Sequence, residues 1–123
     1  MYFCGEIFTS KKMFWNQIET QDDFEKLLAL SQNSTVLIFK HSTRCGTSRF
    51  ALKEFEQSWK MEDEHKMVFC FLDLIAHRYV SDFIEASLGV RHESPQVILM
   101  KKGKCVYSVS HSEIEYQKVI ENR

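Results

Sequence analysis

The sequence predicts an α/β domain with a central mixed β-sheet covered by helices on both faces. Three observations carry this. Two apolar runs, residues 35–39 and 67–72, are too continuous to leave a solvent face, the pattern of strands covered on both sides. Apolar residues at helical spacing stand before, between and after those runs. Beyond the single proline, Pro95, two further β-rich stretches flank Gly103 and read as a hairpin.

Taken in order, Thr20 with Asp23 three residues on has the form of a capping box. Phe24, Leu27, Leu28 and Leu30 then give a helix over about 20–32, stopped by Asn33 and Ser34. The run at 35–39 is the central strand. From about Cys45, Ala51, Leu52, Phe55 and Trp59 form one face while Lys53, Glu54, Glu56 and Lys60 take the other, an amphipathic helix. The run at 67–72 closes at Asp73. Val80, Phe83, Ile84 and Leu88 recur helically up to Gly89, a residue suited to a left-handed helix terminus. Residues 96–100 and 105–109 form the hairpin, with lysines at its tip. Ser112 with Glu115 repeats the capping-box pattern ahead of a short helix carrying Ile114, Val119 and Ile120. A βαβ unit, a crossover helix and a ββα unit in this order make the thioredoxin-like plan. Residues 1–16, with Phe3, Ile7, Phe8, Phe14 and Trp15, are expected to form an extension or extra edge strand, leaving 17–123 as a single domain.

Composition narrows the function. At 123 residues the chain is one domain, and 35 of them are Phe, Leu, Ile or Val, enough for a real core. Sixteen basic against 17 acidic residues give a net charge of −1, so no field favours nucleic acid or an anionic membrane surface. No apolar run approaches the ~18 residues that span a bilayer, and residues 1–12 lack a basic start and long apolar core, so a cytoplasmic address is expected. The cysteines at 4, 45, 70 and 105 are too far apart in sequence for a Cys-x-x-Cys pair, and no metal site is expected.

Chemistry is expected at Cys45, in the first turn of the helix after the central strand. A thiolate there faces unpaired backbone N–H groups and the positive end of the helix dipole, and His41, Arg44 and Arg49 add positive charge nearby. The competing reading of an inert, half-buried cysteine loses to that placement. Three residues on, where a dithiol oxidoreductase carries its resolving cysteine, stands Ser48. A hydroxyl cannot close a disulfide, so the chemistry is monothiol and release needs an outside thiol or a distant cysteine. Cys70 lies in an apolar strand and packs as a small hydrophobe. Cys105 is in the hairpin, and Cys4 in the extension. In thioredoxin-like folds a cis-proline at the position of Pro95 flanks the reactive cysteine, and the residue before it, here Ser94, offers backbone groups to an incoming chain; Ser94–Pro95 is expected to be cis. His111 either caps the last helix or lines the site.

These residues resemble a known family. Phe39, Lys40, His41, Ser42, Thr43, Arg44 and Cys45 with Ser48, then Arg78 and Ser81, then His92, Glu93, Ser94, Pro95 and Gln96, and finally Ser110, His111 and Ile114, resemble the monothiol bacilliredoxin (YtxJ-like) family over about residues 13–121. The chain departs at Gly46, where members carry proline, and at Ser112, where an aromatic residue is common. The resemblance implies removal of bacillithiol from mixed disulfides of S-bacillithiolated client proteins. Cys45 is then the nucleophile; Ser42, Thr43 and Ser94 position the disulfide, and Lys40 or Arg44 holds a carboxylate of the thiol. His41, Ser48 and Pro95 complete the expected site. Bacillithiol is a co-substrate, and no tightly bound cofactor is expected. Two alternatives stand beside this. Gly46 also gives Cys45–Ser48 the look of a monothiol glutaredoxin loop that binds glutathione and an iron-sulfur cluster, although the Gly-Gly those proteins carry after the proline is missing. The groove beside Pro95 would equally suit a non-catalytic peptide-binding module.

Overall fold

A computed structural model describes residues 13–123. Its elements are β1 (Asn16–Gln17), α1 (Gln21–Leu30), β2 (Val36–His41), α2 (Gly46–Ser58), β3 (Val68–Asp73), α3 (Arg78–Leu88), β4 (Gln96–Lys101), β5 (Lys104–Ser110) and α4 (Tyr116–Glu121), with 3₁₀ turns at Met61–His65 and His111–Glu113. The sheet order is β1-β3-β2-β4-β5. β2 runs parallel to β3 and antiparallel to β4; β1 joins β3 in parallel, and β4 and β5 form the antiparallel hairpin.

Local chemistry sets the element ends. The Asp23 N–H donates to Thr20 Oγ1 at 3.0 Å and the Thr20 N–H to Asp23 Oδ2 at 3.1 Å, a reciprocal cap on α1. Gly89 ends α3 at φ 69°. Lys102 and Gly103 both take positive φ, 51° and 74°, as a two-residue turn of type I′ requires.

The second capping box does not form. The His111 N–H donates to the Pro95 carbonyl at 2.9 Å, and the chain tightens into the 3₁₀ turn closed by the Ile114 N–H on the His111 carbonyl at 3.4 Å. That turn packs Ile114, partly buried, against the core beside α4. The helix starts only at Tyr116, with Glu115 making no side-chain cap. Of the extension, β1 pairs at the sheet edge and the Asn16 side-chain amide donates to the Phe69 carbonyl at 3.0 Å. Phe3, Cys4, Ile7 and Phe8 lie outside the described residues.

Every residue of β2 is buried, and its period of two divides the core. Val36 and Ile38 pack with Phe24 of α1 and Val80 and Ile84 of α3. Leu37 and Phe39 pack on the other face with Ala51 and Phe55 of α2 and Val119 and Ile120 of α4. Phe55 anchors α2: its ring meets Phe39 at 5.6 Å, Trp15 at 6.1 Å and Tyr116 at 4.9 Å between centroids. Phe55→Ala should cost about 3–5 kcal/mol of stability. Urea denaturation checks this, and a loss under about 1 kcal/mol would mean that α2 is not held by this cluster.

Candidate active site

At the end of β2 the chain leaves the core through residues 42–45 and re-enters as α2, with Cys45 as the N-cap residue. The Cys45 N–H donates to the Ser42 carbonyl at 3.2 Å, and its own carbonyl accepts the Arg49 N–H at 3.0 Å, the first bond of the helix. The side chain makes no capping bond, is half-buried, and no acidic residue stands in the first turn. The sulfur therefore lies at the positive end of a 13-residue helix with no carboxylate in that turn to offset it.

Ser48 is fully buried. Its Oγ accepts the Ser42 N–H at 3.0 Å and lies 2.8 Å from His41 Nδ1. The end of β2 and the start of the 42–45 loop are thus tied to one hydroxyl on α2. Arg49 adds an outer tie, its Nη1 donating to the Thr43 carbonyl at 3.0 Å, while the Thr43 and Arg44 side chains face solvent. Burial holds His41 below the ordinary histidine value, against the pull of Asp73 and Glu56, so the ring is neutral at neutral pH.

Lys40 points to the opposite face of β2. It is fully buried, and its Nζ has no hydrogen-bond partner among the described residues. Burial pushes its pKa down to about 8 from 10.5, with Glu85 and Asp82 opposing the shift and Arg78 adding to it. Its cross-strand partner is Gln96 on β4. That register carries residues 94–95 alongside residues 41–42. The Ser94–Pro95 peptide is cis, Pro95 is buried, and Ser94 Oγ is buried without a partner among the described residues. The 3₁₀ turn at His111–Glu113 packs against α2. The fold thus gathers His41, Ser42, Cys45, Ser48, Ser94 and Pro95 at one end of the sheet, leaves Thr43 and Arg44 on its rim, and keeps Lys40 beneath it.

Behind Lys40 lies a set of contacts for which spacing gave no signal. His92 Nδ1 sits 2.8 Å from Ser81 Oγ, and the His92 N–H donates to Glu85 Oε2 at 2.9 Å. His111 adopts φ 57°, and its Nε2 lies 3.7 Å from Glu93 Oε1. Among the other described cysteines, burial pushes Cys70 up to about 12 and also raises Cys105. Cys45, Cys70 and Cys105 are all free thiols, and Cys4 lies outside the described residues. Among the described residues no group of three or more His, Cys, Asp or Glu is placed to hold a metal ion, and no helix is long and apolar enough to cross a membrane.

Comparison with known proteins gives a match of residues 16–119 to the family model of the monothiol bacilliredoxin BrxC. Among solved structures, one described as a candidate oxidoreductase with a thioredoxin fold is 27% identical, with TM-score 0.72, covering 86% of this chain and 90% of that one. The thioredoxin of Malassezia sympodialis (Mala s 13) is 17% identical, with TM-score 0.71 over 94% and 92% of the two chains. That of Fasciola hepatica is 18% identical, with TM-score 0.65 over 85% and 92%. The last two show the fold.

Two outcomes follow from the buried polar groups. Ser48→Ala strands the Ser42 N–H and the His41 ring, and should cost about 1–3 kcal/mol in thermal or urea unfolding; a neutral result would mean the loop is held some other way. Lys40→Met removes a buried charge and should stabilise the fold at pH 7 by about 1–3 kcal/mol. Between pH 8 and 10.5 the unfolded chain holds this proton and the native state does not, so native stability rises with pH across that window. The gain from Lys40→Met should therefore shrink there, and a gain independent of pH would refute the assignment to the ammonium.

Proposed function

Because the chain belongs to the monothiol bacilliredoxin family, thiol oxidoreductases on a thioredoxin fold, we propose that it strips bacillithiol from the mixed disulfides of client proteins through Cys45. The observation that supports this reading most is the pair Cys45 and Ser48. One sulfur is presented at the open end of a long helix, and the place of a second sulfur is taken by a buried hydroxyl committed to the loop.

The exchange is a two-step displacement. The Cys45 thiolate attacks the bacillithiol sulfur of the mixed disulfide. A bond forms between those two sulfurs, the bond to the client sulfur breaks, and the client leaves as a thiolate that takes its proton from solvent. The chain is then itself a mixed disulfide; a second low-molecular-weight thiolate attacks its bacillithiol sulfur, forms a small-molecule disulfide with it, and Cys45 leaves as the restored thiolate. Ser48 cannot compete in this second step. The backbone of Ser94 pairs with the incoming disulfide along the strand edge next to Pro95, and Ser42 and Thr43 bound its other side. Arg44, exposed on the rim, meets a carboxylate of the small thiol. Lys40 contributes charge from beneath the site. Bacillithiol enters as a co-substrate, and the cytoplasm, with its pool of reduced small thiols, is the compartment that suits such turnover.

Mass spectrometry after incubation with a bacillithiolated client tests the reading directly. The chain should gain one bacillithiol on Cys45 while the client returns to its free thiol, and Cys45→Ser should abolish both changes. Continued release of the client by Cys45→Ser would sink it.

A further inference from the structure

Beside the cis-proline, on the α3 side of the sheet, lies a groove of about 590 Å³ lined by Arg91, Glu93, Gln96, Ser108, Ser110 and His111, among others. It adjoins the site through two neighbours: Gln96 follows Pro95 directly, and the His111 N–H is bonded to the Pro95 carbonyl. We propose that this groove receives the body of the low-molecular-weight thiol, a hydroxylated, amino- and carboxylate-bearing moiety, while the client polypeptide stays on the other side of the disulfide. This rests on the reading of Cys45 above.

The lining is built for such a group. Gln96, 3% exposed, donates Nε2 to the Arg91 carbonyl at 2.9 Å, and this fixes which end of its amide is oxygen. Its Oε1 is buried with no partner among the described residues, an acceptor in want of an N–H or O–H. Ser108 and Ser110 stand beside it on β5, where Ser110 is the register partner of Gln96 and Ser108 of Ile98. Their hydroxyls both donate and accept, as recognition of a polyhydroxylated ligand requires. Arg91 supplies a cation for a carboxylate, and Glu93 with Glu113 supplies anions for an ammonium. Among the described residues Val90 and Val109 are its only apolar walls, a poor surface for apolar client side chains. His111 closes the end nearest α2, held at φ 57° in a conformation that non-glycine residues adopt rarely.

His111→Gly and Gln96→Met test the groove. Glycine keeps the left-handed turn, so the first variant removes the side chain without asking the backbone to move. Each protein is assayed on one client peptide disulfide-linked either to bacillithiol or to free cysteine, and the ratio of the two kcat/KM values is compared. The wild-type chain should prefer the bacillithiol donor, and each variant should lose about tenfold of that preference, the worth of one or two polar contacts. S-Methyl-bacillithiol, which cannot exchange, should shift the amide NMR signals of residues 91–96 and 108–113. An unchanged ratio in both variants, or shifts confined to other regions, overturns the groove. Failure of the wild-type chain to turn over either donor overturns the exchange reading instead, while the S-methyl titration still decides the groove.

Discussion

Strand β2 is hydrogen-bonded on both edges and covered on both faces, so all six of its residues are buried. Such a strand has one register and one direction available to it, because a slip by one residue would exchange the two cores and drive Lys40 and His41 to the wrong sides. Everything at the candidate site inherits this rigidity. The loop that carries Cys45 begins where β2 ends, the cis-proline loop ends where β4 starts to pair with it, and the His111 turn is tied to that loop in turn.

The same strand explains why two polar residues are buried next to each other in sequence with opposite fates. His41 faces α2 and meets Ser48, so its burial is matched by a hydrogen bond. Lys40 faces α3 and meets no acceptor at bonding distance among the described residues, so its burial is opposed there by the more distant charges of Glu85 and Asp82. An unmatched buried ammonium costs stability, and proteins keep such groups near sites where the field they create has a use. With Ser94 Oγ and Gln96 Oε1 also unmatched, the region around the cis-proline holds three of the unpartnered buried polar atoms among the described residues.

Ser48 gives the monothiol character a structural basis beyond the absence of a sulfur. Its hydroxyl joins the end of β2 to the start of the Cys45 loop, two contacts from one atom. A thiol at that position would be a longer, weaker acceptor for the Ser42 N–H. Position 48 is therefore part of the support for Cys45, and its replacement alters the loop as well as the redox stoichiometry.

Much of this was legible in the chain. The apolar runs gave β2 and β3, Thr20 and Asp23 gave the start of α1, Gly89 gave the end of α3, and Gly103 gave the hairpin, each because the signal is local and its partner lies within a few residues. Cys45 at a helix start and Ser48 three residues later were likewise readable from spacing. The pattern at Ser112 and Glu115 failed because a long-range bond, His111 to Pro95, outcompeted a local cap of similar strength. Sequence alone determined most of the elements, their order along the chain, and the cysteine that starts a helix. Only the tertiary structure decided that Lys40 is sealed in the core, that Ser48 is occupied by the loop, and that Gln96 and His111 share a groove, because those facts depend on which faces of distant strands are brought together.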